Sequence, residues 1–273
     1  MLKPSTMSEI DIRQGLKLVL AKIEQACSKR NKVKINCEVI VVVLKESRFQ
    51  ELSVVEPRLV AVSKTKPVEA ILEAYNEGQR NFGENYVQEL EEKANNKLIL
   101  EKCKEIKWHF IGHLQGNKIN KVISIPNLYI IETIDSKKKA KKLNNSWAQF
   151  DSKIRTFVQV NTSGEKEKSG VSPDEVIEMV KFVKDDCPSL QFNGLMTIGQ
   201  YGYNPDDGPN PDFLKLVKCR EDVCKALNLS LKDVELSMGM SDDYEQAIEL
   251  GSTNIRVGSA IFGYRPKKHE LEK

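Results

Sequence analysis

The stretch Leu59-Val60-Ala61-Val62-Ser63-Lys64-Thr65-Lys66-Pro67 runs from an apolar segment into a lysine and then a turn. Leu59–Ser63 reads as a buried strand of mostly β-favouring residues, and Pro67 prevents its continuation. An amine at the carboxyl end of such a strand points into the mouth of an α/β fold, where sites are usually built. A lysine there can lose solvation, titrate lower and attack a carbonyl to form a Schiff base. From this segment alone, a plain surface lysine at a strand end competes with that reading. Lys66 is not excluded by chemistry, although its place directly before Pro67 puts it in the turn.

Outward from this unit the pattern alternates. Strands are expected at 59–63, 81–83, 107–111, 128–131, 156–161, 192–196, 234–236 and 253–257, from short β-rich runs bounded by turn residues. Helices are expected near 68–77, 86–95, 116–123, 136–150, 173–184, 211–227 and 242–250, with apolar residues at helical spacing. Pro173 behind Ser172 and Pro211 behind Asn210 look like first-turn prolines after caps, and Ser241 looks like a cap for the last helix. Eight strands alternating with helices point to an α/β protein built as one parallel (β/α)8 TIM barrel. A doubly wound open sheet is the rival, but the first strand–helix turn lacks G-x-G-x-x-G. An additional N-terminal helix is expected over about 8–29. The chain thus divides into residues 1–57 (that helix and an apolar insertion), a barrel over 58–266 and a short charged tail over 267–273.

Composition removes several classes. The 273 residues carry 42 basic and 39 acidic side chains, a net charge of +3, which gives no nucleic-acid footprint. The run Lys137-Lys138-Lys139-Ala140-Lys141-Lys142 is the local exception, and its helical setting makes it a solvated helix face. Six scattered cysteines form no C-x-x-C pair, no signal peptide is visible, and no apolar stretch reaches the ~18 residues that span a membrane. A cytoplasmic protein with reduced thiols is expected, a monomer without nucleic-acid or membrane partners. His109 and His113 have a helical zinc spacing, but on a strand they would stand about 13 Å apart, too far for one metal. No metal site and no nucleophile-triad motif is expected.

A second signal lies in Ser252-Thr253-Asn254-Ile255-Arg256-Val257-Gly258-Ser259-Ala260-Ile261-Phe262-Gly263. Gly258 lets an anion approach backbone N–H groups, and Ser259 adds a hydroxyl donor. Alternation places Arg256 and Gly258 on one face of the strand. Taken alone, Gly-Ser is an ordinary turn more often than a phosphate site. In a closed barrel, however, strands one and eight are neighbours, so Lys64 and Arg256–Ser259 face a common mouth. Strand seven ends in Leu236-Ser237-Met238-Gly239-Met240-Ser241, a further set of anion donors. A Schiff-base lysine beside a phosphate cradle describes a pyridoxal phosphate site.

Several segments also resemble one family. Ala-Val-Ser-Lys-Thr-Lys-Pro (61–67), Phe-Gly-Glu-Asn-Tyr-Val-Gln-Glu (82–89), Trp-His-Phe-Ile-Gly-His-Leu-Gln (108–115), Val-Asn-Thr-Ser-Gly-Glu (160–165), Gly-Leu-Met-Thr-Ile-Gly (194–199) and Leu-Ser-Met-Gly-Met-Ser (236–241) are similar to the pyridoxal phosphate homeostasis proteins. So is Gly251–Gly263. The resemblance covers about 59–265, and Gly-Pro-Asn-Pro-Asp-Phe (208–213) looks most like animal members. It implies a barrel similar to the N-terminal domain of alanine racemase and a covalent Schiff base between Lys64 and pyridoxal 5′-phosphate. It places Asn85, Met196, Ser237, Arg256, Gly258 and Ser259 around that cofactor. The stretch 36–56 is longer and more apolar than the resemblance leads one to expect.

Two functions follow. One is a non-catalytic carrier or regulator of intracellular pyridoxal phosphate in vitamin B6 homeostasis, with apo forms of cofactor-dependent enzymes as partners. The other is a cofactor-dependent amino-acid racemase. Racemisation needs a base on each face of the carbanion, usually the lysine and a tyrosine from a second domain. With 8 residues after Arg265, no such domain is expected, and none of Tyr86, Tyr129, Tyr201, Tyr203, Tyr244 or Tyr264 is placed by a motif. Arg256 facing the pyridine nitrogen would disfavour a protonated ring and suit binding without turnover, though racemases share the feature.

Overall fold

Strand β1 (Arg58–Val62) alternates its side chains between two different environments. Leu59 and Ala61 join the large apolar cluster shared with the helices. Val60 and Val62 face the other way, against the backbone of Gly83 on the next strand. Seven further strands repeat the arrangement: β2 (Asn81–Glu84), β3 (Lys107–Phe110), β4 (Leu128–Ile134), β5 (Ile154–Gln159), β6 (Leu190–Met196), β7 (Glu235–Ser237) and β8 (Asn254–Val257). Each pairs in parallel with its successor, and β8 closes on β1 with Val60 opposite Arg256 and Ala61 opposite Val257. The closed parallel eight-stranded barrel is the fold expected from the alternation. This computed structural model describes residues 11–32, 56–200 and 202–264. Most of the apolar insertion (33–55), Tyr201 and the tail over 267–273 lie outside the described residues.

The helices cover the barrel because each has one apolar face. They are α1 (Ile12–Lys32), α2 (Val68–Asn76), α3 (Val87–Ala94), α4 (Lys97–Lys102), α5 (Ile119–Ile123), α6 (Lys137–Trp147), α7 (Val176–Asp186), α8 (Pro211–Leu227), α9 (Tyr244–Glu249) and α10 (Ser259–Phe262). In α6 the residues Ala140, Leu143, Asn144 and Trp147 are buried at helical spacing, so the intervening lysines face outward as expected. Fully burying one Leu or Ile contributes about 1.5–3 kcal/mol, and this apolar layer is what holds the helices on the sheet. The caps largely match. Ser172 and Glu175 form a capping box ahead of α7, and the Asn210 side chain accepts from the Asp212 N–H to start α8.

Three elements differ from the sequence reading. The helix α4 falls in a segment without a clear periodic signal. Strand β4 continues to Ile134, three residues past the expected end, because Glu132 is part of the strand and points into the barrel. Ser241 does not cap α9; its hydroxyl accepts the Gly258 N–H at 3.1 Å. Among the described residues no helix is long and apolar enough to cross a membrane.

Candidate functional site

The barrel interior is polar in its middle layer, where branched apolar residues usually dominate. At the amino-terminal floor, Arg58 pairs with Glu235 at 2.6 Å, and the Tyr129 ring lies beneath Arg58, Lys107 and Arg155. One layer up, Glu132 is bonded to His109 Nδ1 at 2.6 Å, to the Ser237 hydroxyl at 2.5 Å and to Asn254 Nδ2. Burial pushes the His109 ring below its ordinary pKa, in spite of Glu132. Nδ1 faces the Glu132 carboxylate as a donor, and Nε2 lies 3.1 Å from Asn81 Oδ1. Burial alone would raise the Glu132 carboxyl. The His109 hydrogen bond, the charge of Arg256 and the Ser237 hydroxyl outweigh it and hold the group below the usual carboxylate range.

Arg256 stands above this layer. It is 4% exposed, donating from Nη1 to Ser237 Oγ at 2.5 Å and from Nη2 to the Thr197 carbonyl at 2.8 Å. Burial lowers its pKa, opposed by Glu132 and Asp243. Arginine nonetheless keeps its proton in proteins, so this side chain is a fixed donor at the mouth. Met196, at the end of β6, packs inside the barrel against Ile130 and Phe157 and lies next to Thr197.

The turn after β8 is built for close approach. A Cβ on Gly258 would stand 3.3 Å from the Val62 carbonyl and 3.4 Å from the Val62 Cβ, so the turn lies directly against the end of β1. Ser259 opens α10 and is exposed, and the first N–H groups of any helical turn lack an intrahelical acceptor. The Gly258–Ser241 hydrogen bond ties this turn to the loop after β7. Together, the hydroxyls of Ser241 and Ser259 and these backbone donors form an anion-receptive rim.

Lys64 stands two positions past the end of β1, in the turn at its carboxyl end. It is exposed, and among the described residues its amine has no hydrogen-bond or ion-pair partner. The turn beneath it is braced. Lys66 N–H closes onto Ser63 O at 3.0 Å across Thr65, which adopts φ 62°. Buried Lys93 donates at 2.7 Å to Ser63 O, Glu84 Oε1 and Glu89 Oε1, and Glu89 accepts the Thr65 N–H. Burial pushes the Glu84 carboxyl up, although Lys93 and the Ser63 hydroxyl counter it. Two amines thus compete at this turn. Burial lowers the Lys66 pKa and favours its neutral form, whereas the strand direction and the free amine favour Lys64.

Asn85, just past β2, has a buried Oδ1 with no partner. Its backbone carbonyl would lie 1.8 Å from a Cβ on Gly112, so the loops after β2 and β3 pack without a side chain between them. The seven expected site residues therefore gather at or just beneath one end of the barrel. Sequence reasoning missed Glu132 and Asn254 and weighed His109 only as a metal ligand, whereas Ser241 lies in the stretch it gave to an anion. An acidic residue inside the apolar run 128–134 was the one available signal.

The family pattern described as the alanine racemase N-terminal domain matches residues 47–266. The human protein named pyridoxal phosphate homeostasis protein is 48% identical over 263 residues, spanning 96% of this chain and 89% of that protein. The mouse protein of the same name is 54% identical over 230 residues, 83% of this chain and 84% of the other. Among solved structures, PipY of Synechococcus elongatus with PLP bound aligns at a TM-score of 0.66 and 31% identity, over 76% of this chain and 92% of PipY. Alanine racemase of Clostridium difficile aligns at 0.59 but 14% identity, over 91% of this chain and 58% of that one, a likeness of fold.

Proposed function

The chain belongs to the pyridoxal phosphate homeostasis proteins within the alanine racemase N-terminal-domain family, and on that premise we propose that it binds pyridoxal 5′-phosphate at the carboxyl mouth of its barrel and carries or regulates it without turnover. The observation that carries this reading is the free Lys64 amine beside an anion-receptive turn. The donor set suits the cofactor part by part. Lys64 would supply the amine that holds the cofactor through its aldehyde. Ser241 and Ser259 offer hydroxyl donors to the phosphate, and Gly258, whose own N–H is held by Ser241, keeps the turn open to close approach. The unpartnered Asn85 Oδ1 is an acceptor awaiting a donor, and Met196 lines the apolar floor.

When bound, the cofactor supplies an electrophilic carbon and a pyridine ring that can withdraw electrons. Arg256 limits the second property. Facing the ring nitrogen, the Arg256 guanidinium, which only donates, would disfavour a protonated ring and weaken carbanion chemistry. That limit disfavours transamination-type chemistry and suits binding without turnover, although racemases share the feature. None of the five described cysteines forms a disulfide, which suits a reducing compartment such as the cytoplasm. Apo forms of cofactor-dependent enzymes are the recipients this role requires.

The test is an absorbance titration of the purified protein with pyridoxal phosphate. Wild type and Lys66→Ala should develop a visible band removed by hydroxylamine, and Lys64→Ala should not while keeping its circular dichroism. The opposite behaviour of the two lysine variants would overturn the Lys64 assignment. Alanine racemisation with a kcat of about 1 s⁻¹ or more would overturn the carrier reading.

A further inference from the structure

Glu132 sits at the centre of the barrel with no exposure, and it shares the Ser237 hydroxyl with the mouth cation Arg256. A buried ion of this kind costs several kcal/mol unless it is paired and fully hydrogen-bonded. Its surroundings meet that demand. Oε1 receives His109 and Oε2 receives Ser237, while Asn254 Nδ2 lies 3.1 and 3.2 Å from the two oxygens.

The hydrogen-bond inventory of Ser237 then becomes fully determined. A carboxylate only accepts, so the single hydroxyl proton is committed to Glu132. The two lone pairs of Oγ receive Arg256 Nη1 at 2.5 Å and Asn254 Nδ2 at 3.0 Å. Nothing on this hydroxyl is left for a ligand, so its part at the site is to anchor Arg256. With Thr197 O as the second anchor, the plane of the guanidinium is set by two points. Its remaining N–H groups are the ones free to meet a bound ring.

We propose that Glu132 is a positioning residue which, through the Ser237 hydroxyl, aims Arg256 at the ring nitrogen of the bound cofactor, with His109 and Asn254 holding the carboxylate in place. The assignment rests on the pyridoxal phosphate reading of the mouth. The negative charge matters as well as the shape. An amide at position 132 offers an N–H to Ser237 as readily as a carbonyl, which releases the hydroxyl proton to turn against Arg256. It also removes one of the two carboxylates, the other being Asp243, that balance the buried guanidinium.

A purely architectural role predicts a different outcome, so the test compares two ligands. Full-length protein freed of cofactor is titrated with pyridoxal phosphate and with its carbocyclic analogue, in which C–H replaces the ring nitrogen. Wild type should prefer pyridoxal phosphate. Glu132→Gln should lose about tenfold in affinity for it, the worth of one misdirected charge-assisted hydrogen bond, and less than about twofold for the analogue. Equal losses on both ligands, or no loss on either, overturn the proposal. A wild type that binds both ligands alike removes Arg256 from the ring nitrogen and overturns it too. A wild type that binds neither overturns the function reading itself. Should Glu132→Gln lose its native circular dichroism, the same titrations on Ser237→Ala decide: selective loss supports the proposal and equal loss overturns it.

Discussion

Lys93 is buried beneath the Lys64 turn, and replacing it with methionine isolates what holds that turn in place. Its ammonium makes three 2.7 Å bonds, to Ser63 O, Glu84 Oε1 and Glu89 Oε1, with 7% of the side chain exposed. Glu84 is fully buried, and its Oε2 has no partner even in the intact cluster. Methionine keeps the apolar stem and removes the charge. An orphaned buried carboxylate costs about 3–5 kcal/mol, but Glu84 can escape by taking up a proton. From an ordinary value of 4.5, protonation at pH 7 costs about 3.4 kcal/mol, which caps the penalty. A loss of about 3 kcal/mol should lower the thermal midpoint of a barrel this size by roughly 6–12 °C. The assay is thermal unfolding followed by circular dichroism at pH 7 and pH 5. At pH 5 the deficit should shrink to about 1 kcal/mol, because protonating Glu84 then costs less. The double variant Lys93→Met/Glu84→Gln should recover most of the loss at pH 7. A deficit below about 1 kcal/mol at pH 7, or one unchanged between the two pH values, would refute the assignment of Lys93 as the counter-charge that makes this turn rigid.

Two further outcomes concern the proposed phosphate turn and the buried interior. Ser259→Asp places a like charge at the proposed phosphate turn and should weaken pyridoxal phosphate binding by about tenfold or more, while unphosphorylated pyridoxal stays nearly indifferent; equal losses would move the phosphate elsewhere. The His109 pKa is depressed below 6.5 in the folded chain, so as pH falls below that value the unfolded chain binds a proton that the folded one refuses, and stability drops. The thermal midpoint should therefore decline between pH 6.5 and 5, and less steeply in His109→Gln; identical slopes would show that His109 is not the group responsible. The depressed Glu132 carboxyl adds a second loss only below its ordinary value of 4.5, as pH falls toward its folded pKa.

Local chemistry was enough to read the repeating strand–helix unit. Pro67 stops β1, the prolines behind Ser172 and Asn210 start helical segments, and period-2 or helical spacing marks most elements in between. These signals act within a few residues, which is why they are visible in a linear chain, and eight such units leave a closed barrel as the economical packing. The chain order also brought Lys64 and Arg256–Ser259 to one mouth, since first and last strands must meet when the sheet closes. The interior was not legible in the same way. Glu132 bonds Ser237 and Asn254 across separations of 105 and 122 residues, and no local pattern distinguishes a carboxylate that finds buried partners from one that ends a strand. Ser241 reads as a cap from its neighbours, yet its hydroxyl goes to Gly258 on a loop that only the closed sheet brings within 3.1 Å. Sequence determined where the reactive groups emerge; closure of the barrel decided which of them is held rigid, because only in three dimensions does each buried donor meet its acceptor.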